Sequence, residues 1–232
     1  MTIKWDEITI DNLSNLEKAL KIFDRVFPVE VRESHDIFLK SLQYAKRNKP
    51  NNFRFLVGFE GEKMVSFATG HYLADVNVGF IVYIFTDPVV RSKGLGTKTL
   101  LELEKLLNKD AFLAGYTLLK AVILETETEE MVHTEIEKQD CIKRNKFFER
   151  NNYKQYKNID YLQPPLHFGA SNIPLNLFIK RVQLNEINDE EVSNAIRSIF
   201  REKYYIVNEI DKDIIELCLK TMGVNNEALF NN

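Results

Sequence analysis

The sequence is poor in the residues that divide or cross-link a chain. Its 232 residues include nine glycines and six prolines, and no Gly/Ser/Pro-rich stretch or internal repeat separates two parts. One main domain is therefore expected. The two cysteines, Cys141 and Cys218, lie far apart in helix-like segments, which argues against a disulfide scaffold. Neither they nor the four histidines show the spacing of metal ligands, so no metal site is predicted.

Long apolar runs and a strong charge bias are also lacking. No run of about 18 apolar residues occurs, and the first residues, "MTIKWDEITIDNL", lack the pattern of a signal sequence, so neither export nor membrane spanning is expected. The formal net charge of −3 gives no global field that would attract nucleic acid. Together with the unpaired cysteines, these features favour a cytoplasmic protein.

What the sequence does contain is an ordered succession of helix and strand patterns. Two amphipathic helices are expected first, the first over about 11–27 with Asp11 as its cap and the second over about 31–47. Residues 53–73 then show two strand-like runs that turn at Gly61, which indicates an antiparallel hairpin. The apolar run "VGFIVYIFTDP" is typical of a strand buried on both faces.

The second half begins with a βαβ unit and ends in helices. A leucine-spaced helix and the strand "AVILETE" follow, so the two long strands should be parallel neighbours. The segment "DCIKRNKFFERNNY" predicts another helix, and strands are expected around 153–161 and 174–182. Two further amphipathic patterns follow Asn188. We therefore predict one domain over 1–185 and a helical extension over 186–232 packed on it.

The segment "RSKGLGT", residues 91–97, which we call the glycine turn, joins a strand to a helix. Backbone N–H groups at a helix start have no intrahelical acceptor and lie at the positive end of the helix dipole, so they can bind an anion. Gly94 and Gly96 would let a phosphate approach the backbone, while Arg91 and Lys93 would add positive charge. The alternative is a tight turn whose basic side chains are merely solvated.

Neither of two familiar phosphate loops matches these residues. A dinucleotide fingerprint would need glycine at Thr99, and a P-loop would need lysine after a glycine. Arg-x-x-Gly-x-Gly after "YIFTDPVV", followed by "AVILETE" and "FFERNNYK", instead resembles the GNAT superfamily of acetyl-CoA-dependent N-acetyltransferases. The resemblance, from about residue 5 to 182, implies an α/β fold with a mixed central sheet of about six to seven strands flanked by helices. Its central parallel strands would splay apart, with the helical appendage following.

The same resemblance implies how acetyl-CoA, the cosubstrate, would bind. Its pyrophosphate would rest on the amides of the glycine turn, and its pantetheine arm would pair with the end of the central strand, as an added strand does. A backbone N–H near Phe85 would polarise the thioester carbonyl. The residues implied in cofactor binding are Ile84, Phe85, Thr86, Arg91, Ser92, Lys93, Gly94, Leu95, Gly96, Thr97, Asn145 and Phe148.

The residues that would handle protons are less clearly marked. Glu125 and Glu127 end the strand "AVILETE" on one face, so either could be the base that deprotonates the amine, but the glutamates around them are also typical of a solvated acidic loop. Many family members carry a tyrosine acid where this chain has Phe148, whose ring packs against the coenzyme or the core. Three explanations stay open: Tyr161 acts as the acid, the thiolate leaves to water, or no transfer occurs.

Two further features bear on the acceptor. The segment "YLQPPLHFG" from Tyr161 could line the acceptor pocket, with Tyr161 and Gln163 on one side, or serve as a rigid connection. His71 and His133 are possible pocket residues without an assigned role. The acidic run could attract a cationic amine.

The leading hypothesis is therefore transfer of an acetyl or short acyl group to an amine of a small molecule or peptide. The alternative is a non-catalytic acyl-CoA-binding module. Nucleic-acid binding through "KRNKFFER" is not favoured, because that segment should form one amphipathic helix. A monomer and a homodimer are both compatible with the sequence.

Overall fold

The structure, a computed structural model of the chain, describes residues 2–90, 94–132, 134–167, 169–183 and 187–225. The chain divides into two compact units, Met1–Leu119 and Lys120–Asn232. Each unit is described by itself. Within the described ranges, no helix is long and apolar enough to cross a membrane.

The first unit is an antiparallel sheet with three helices. The strands are β1 (Lys4–Ile8), β2 (Asn52–Glu60), β3 (Lys63–Leu73) and β4 (Val78–Thr86), and the helices are α1 (Leu16–Val26), α2 (His35–Arg47) and α3 (Leu95–Leu113). Each strand pairs with the next in sequence, which confirms the predicted hairpin. Strand β1 was not predicted from the sequence, because its segment KWDEI buries only its last residue, Ile8, and so lacks a clear alternating pattern.

Aromatic packing holds α1 and α2 on this sheet. Phe23 of α1 lies 5.0 Å from Phe38 of α2 and 4.8 Å from Tyr83 of β4, measured between ring centroids. Burial of each such ring stabilises the fold by about 1.5–3 kcal/mol. The expected cap of α1 is wrong: the helix begins at Leu16 with Asn15 as its cap residue, and Asp11 instead pairs with Lys46 at 2.6 Å.

A buried ionic cluster connects β2 to α3. The Arg54 guanidinium donates to both carboxylate oxygens of Asp110, at 2.8 and 2.5 Å, and also contacts Glu7 at 3.0 Å. Asn52 donates a further bond of 2.7 Å to Asp110, whose side chain is only 3% exposed. Because these bonds compensate the buried charge, the helix that follows the glycine turn is held firmly on its sheet.

Strand β4 carries one extra residue against β3. Tyr83 pairs with Thr69 but Ile81 pairs with Gly70, so Val82 is the bulged residue. A Cβ on Gly70 would lie 2.9 Å from the backbone carbonyl oxygen of Phe80, which explains the glycine there. Bulges bend and twist a strand and are frequent next to active sites. This one lies just before Ile84.

The second unit contains the remaining strands and the C-terminal helices. Its elements are β5 (Ala121–Glu127), α4 (Glu135–Arg150), β6 (Lys154–Tyr156), β7 (Leu162–Gln163), β8 (Ile173–Arg181), α5 (Asp189–Ile199), a π-helix (Phe200–Val207) and α6 (Lys212–Thr221). Strand β8 pairs antiparallel with β5, β6 and β7. The strand expected over 153–161 is wrong in extent: β6 ends at Tyr156, and β7 covers only Leu162–Gln163, directly before Pro164.

The C-terminal helices are packed into this second unit. Asn188 and Glu191 form a capping box at the start of α5, and Tyr156 donates a 2.6 Å hydrogen bond to Asp189. The apolar residues Ile196, Ile199 and Phe200 are fully buried. The predicted helices are confirmed, while the predicted domain boundary near residue 185 stays a prediction.

Candidate functional site

The described part of the glycine turn forms the start of α3. Gly94 has φ 73° and ψ 12°, in the left-handed region, and serves as the N-cap of α3. A Cβ on Gly94 would meet no atom within 4 Å, so the backbone conformation rather than crowding favours glycine. Arg91, Ser92 and Lys93, which were predicted to contact the coenzyme, lie outside the described residues.

The first turn of α3 presents amides that the helix itself does not use. The N–H of Lys98 donates to the carbonyl of Gly94 at 3.0 Å, so the amides of Leu95, Gly96 and Thr97 precede the first intrahelical bond. The side chain of Leu95 is buried with Val65 and Val90, which anchors the helix start. These amides, at the positive end of the helix dipole, can bind a phosphate group.

A short 3₁₀ turn, Pro88–Val90, follows the end of β4 and precedes the glycine turn. Phe85 is buried against Phe67, 5.3 Å away between ring centroids, while Ile84 and Thr86 are half-buried on the other face of the strand. Asp87 then accepts a 2.9 Å bond from the N–H of Val89 and pairs with Lys63 at 2.7 Å. The strand end and the helix start are thus held in place by side chains on either side of the turn.

In the second unit, three polar side chains converge on the carboxylate of Glu125. We call Glu125, Tyr161, Gln163 and Tyr204 the Glu125 cluster. The Tyr161 hydroxyl donates to Oε1, and the Tyr204 hydroxyl lies 3.0 Å from Oε1 and 2.9 Å from Oε2. Gln163 Nε2 lies 3.4 Å from Oε2 and 3.2 Å from the Tyr204 hydroxyl. This geometry confirms that Tyr161 and Gln163 project to the same side.

The surroundings of Glu125 keep its neighbours neutral. Tyr161 is 2% exposed, and burial, together with the charge of Glu125, raises its pKa well above the ordinary value. Burial also raises the pKa of the Cys218 thiol to about 12, with a further contribution from Glu125. At neutral pH the phenol and the thiol therefore keep their protons, and the carboxylate is the group in the cluster suited to accept one.

The second candidate base, Glu127, is engaged differently. Its carboxylate forms an ion pair with Arg144, and its backbone carbonyl accepts from Cys141 and from Asn176. The Glu127 carboxylate is thus already paired with a cation, whereas the donors on the Glu125 carboxylate are neutral side chains. Glu125 is therefore the better placed of the two carboxylates.

The two cofactor candidates of α4 face the body of the second unit. Asn145 accepts a 2.9 Å hydrogen bond from the Thr126 hydroxyl. Phe148 is 3% exposed and packs against Tyr153 and Phe178, at 5.8 and 6.2 Å between ring centroids. The Phe148 ring was expected to pack against either the coenzyme or the core, and it occupies the core. Coenzyme contacts of Asn145 and Phe148 stay predictions. Because the aromatic side of "KRNKFFER" packs inward, its basic side chains lie on an amphipathic helix, as expected.

His71 lies in neither the glycine turn nor the Glu125 cluster. His71 is fully buried, with its ring 4.8 Å from that of Phe53, so it belongs to the core of the first unit. His133 lies outside the described residues. Among the residues that the structure describes, no group of three or more His, Cys, Asp or Glu side chains could hold a metal ion.

Tyr204 is the functional candidate that sequence reasoning missed. It lies 79 residues from Glu125 in the chain, in a π-helix. A π-helix does not follow the 3.6-residue period, so the apolar pattern gives no indication of where a side chain in it points. No local signal in "FREKYYIV" marks this tyrosine.

Comparisons with known proteins agree with these observations. Residues 16–128 match the model of the acetyltransferase (GNAT) family, whereas no curated protein matches the chain in a sequence search. A solved GNAT-family protein from Bacteroides thetaiotaomicron is 20% identical with a TM-score of 0.63, over 90% of this chain and 99% of its own. The ribosomal-protein-S18-alanine N-acetyltransferase from Escherichia coli is 15% identical with a TM-score of 0.52, over 81% and 98% of the two chains. Arabidopsis thaliana NAA60 in complex with acetyl-CoA is 13% identical with a TM-score of 0.54, over 78% and 99%.

These likenesses confirm the predicted α/β fold. The described residues form eight strands, rather than six to seven, because β1 and the two-residue β7 escaped prediction. The expected splay between the two central strands, β4 of the first unit and β5 of the second, stays a prediction.

Proposed function

Because residues 16–128 match the model of the acetyltransferase (GNAT) family, we propose that the protein transfers an acetyl or short acyl group from acetyl-CoA to an amine of a small molecule or peptide. The observation that carries this proposal is the family match across β4, the glycine turn and β5. The start of α3 supports it independently, because the amides of Leu95, Gly96 and Thr97 precede the first intrahelical hydrogen bond, from Lys98 to Gly94, and such amides can bind an anion.

The described residues fit the coenzyme. Amides of Leu95, Gly96 and Thr97 would bind its pyrophosphate, and the backbone of β4 from Ile84 to Thr86 would bind its pantetheine arm. When bound, acetyl-CoA supplies the reactive thioester. The backbone N–H of Phe85 is the proposed donor to the thioester carbonyl.

Glu125 is the proposed general base. An alkylammonium acceptor must lose a proton before its nitrogen can attack, and the Glu125 carboxylate accepts that proton, directly or through a water molecule. The C–N bond to the acyl carbon then forms as the C–S bond breaks, and the nitrogen loses its second proton to water. The thiolate takes up a proton from Tyr161, whose phenolate is then reprotonated from water, or directly from water. Tyr161, kept neutral by burial, is the proposed acid in the first case.

The exposed acidic residues after β5 suggest a cationic acceptor. Glu129 and Glu130 are exposed in a short helical turn, Glu129–Met131. Such charges raise the local concentration of a cation and make the rate of encounter depend on salt. Replacement of both by glutamine should raise the KM for a cationic amine and weaken its salt dependence, and an unchanged KM would remove this attraction from the proposal.

The test is turnover with acetyl-CoA and a panel of primary amines and peptides. Free thiol release and product mass would be followed together, so that hydrolysis of acetyl-CoA is distinguished from transfer. Glu125→Gln should lower kcat/KM by about 100-fold or more, in the range expected for loss of a general base. Glu127→Gln, next on the same face of the strand, is the matched control and should retain most of the activity.

Three results would count against the proposal or one of its parts. Acetyl-CoA binding without turnover on any amine would favour the non-catalytic module. A protein that does not bind acetyl-CoA at all would contradict the assignment of the glycine turn. Equal losses in the Glu125 and Glu127 variants would remove Glu125 as the specific base.

A further inference from the structure

The C-terminal π-helix directs one tyrosine into the Glu125 cluster. Tyr204 is 2% exposed, and its ring packs edge-to-face on Phe200 at 5.2 Å. A π-helix is rare and is frequently found at functional sites, where the wider turn changes the direction of its side chains. Here Tyr204 lies within the π-helix, and its hydroxyl oxygen is 3.0 Å from Oε1 and 2.9 Å from Oε2 of Glu125.

The hydrogen bonds of the cluster have a defined direction. An ionised carboxylate can only accept, so the single hydroxyl proton of Tyr204 is donated to Glu125. The same hydroxyl oxygen then accepts from Nε2 of Gln163, 3.2 Å away. The Tyr161 hydroxyl donates from a different segment. Tyr204 thus connects a side chain of β7 to the carboxylate and contacts both of its oxygens.

We propose that Tyr204 is a positioning residue that holds the Glu125 carboxylate in its charged form and in one orientation, so that the C-terminal helical segment completes the candidate active site. Its catalytic meaning rests on the proposed function, in which Glu125 is the base. The hydrogen bond itself can be tested without turnover. Tyr205, the next residue of the same π-helix, is 37% exposed and supplies a matched control.

Removal of the Tyr204 hydroxyl should shift the protonation of Glu125 in a known direction. Among the residues that the structure describes, the titratable side chains identified beside this carboxylate are Tyr161 just before β7, Tyr204 in the π-helix and Cys218 in α6. The Tyr161 phenol and the Cys218 thiol stay neutral through the pH range of interest, so they do not mask the change. A carboxylate that loses a donor is less stable when charged, and it therefore takes up its proton at a higher pH.

The experiment compares Tyr204→Phe with Tyr205→Phe. Carboxyl ¹³C resonances of glutamate-labelled protein would be titrated with pH, and a Glu125→Gln sample would identify the Glu125 signal. In Tyr204→Phe the Glu125 midpoint should rise by about one pH unit, the scale expected for loss of a hydrogen bond to the charged form. In Tyr205→Phe it should not move. Because Phe keeps the ring contact with Phe200, Tyr204→Phe should remain folded, which thermal unfolding would verify.

Kinetics provide a second measurement. If Glu125 is the base, the acid limb of the kcat/KM profile in Tyr204→Phe should move to higher pH by the same amount, while the KM for acetyl-CoA stays unchanged. A Glu125 midpoint equal to that of the wild type would overturn the inference, whatever the activity. A shifted midpoint in a protein without turnover would support Tyr204 as the partner of Glu125 and contradict the proposed function instead.

Discussion

The most direct test of the glycine turn is Gly94→Ala. Gly94 has φ 73°, and an L-residue with a Cβ pays about 1–2 kcal/mol to adopt the left-handed conformation. No steric cost is added, because the new Cβ would meet no atom within 4 Å. For a chain of this size each kcal/mol lowers Tm by about 2–4 °C, so we expect a fall of about 2–8 °C.

The variant should also weaken coenzyme binding. Part of the strain can be relieved if the backbone rotates out of the left-handed region, which would turn the amides of Leu95, Gly96 and Thr97 away from the pyrophosphate. We expect the Kd for acetyl-CoA, measured by isothermal titration calorimetry, to rise about tenfold, equivalent to about 1.4 kcal/mol.

The matched control is Gly61→Ala, in the turn between β2 and β3. Gly61 has φ 60°, and a Cβ there also meets no atom within 4 Å, so the strain is comparable but lies away from the glycine turn. Both variants should lose stability to a similar degree, and only Gly94→Ala should lose affinity. An unchanged Kd for acetyl-CoA in Gly94→Ala, with the expected loss of Tm, would refute the assignment of these amides to the pyrophosphate.

Two further predictions concern the second unit. Phe148→Tyr should lower the free energy of unfolding by about 1–3 kcal/mol in urea titrations, because the new hydroxyl enters the core beside Tyr153 and Phe178. Since this hydroxyl is not placed to protonate the leaving thiolate, kcat should stay unchanged. An increase of kcat would contradict this prediction. The thiols of Cys141 and Cys218 should resist a disulfide reagent at pH 8 in the native protein and react fully in denaturant. Both are buried, and burial raises the pKa of each. Rapid reaction of Cys218 in the native protein would show that the Glu125 cluster is open to solvent.

Local patterns sufficed to predict much of this protein. The stripe of α1, the hairpin of β2 and β3, and the long strands β4 and β5 follow from apolar periodicity, since burial on one face or both repeats at short spacing. The predictions failed where that relation is weak. The segment KWDEI of β1 buries one residue. The strand predicted over 153–161 ends at Tyr156, and strand structure resumes only at Leu162.

The glycine turn and the Glu125 cluster also differ in how much of each could be predicted from the sequence. Sequence alone predicted a strand-to-helix junction at the glycine turn, because such a junction depends on a few neighbouring residues, while the left-handed conformation of Gly94 came from the structure. It also narrowed the base to Glu125 or Glu127 but could not choose between them. The proposal of Glu125 as the base rests on the tertiary structure, in which Arg144 pairs with Glu127 while Tyr161 and Tyr204 donate to Glu125. Tyr161 and Tyr204 lie 36 and 79 positions away from Glu125 in the chain. Their contacts with Glu125 depend on how distant segments pack, so no short segment of sequence encodes them.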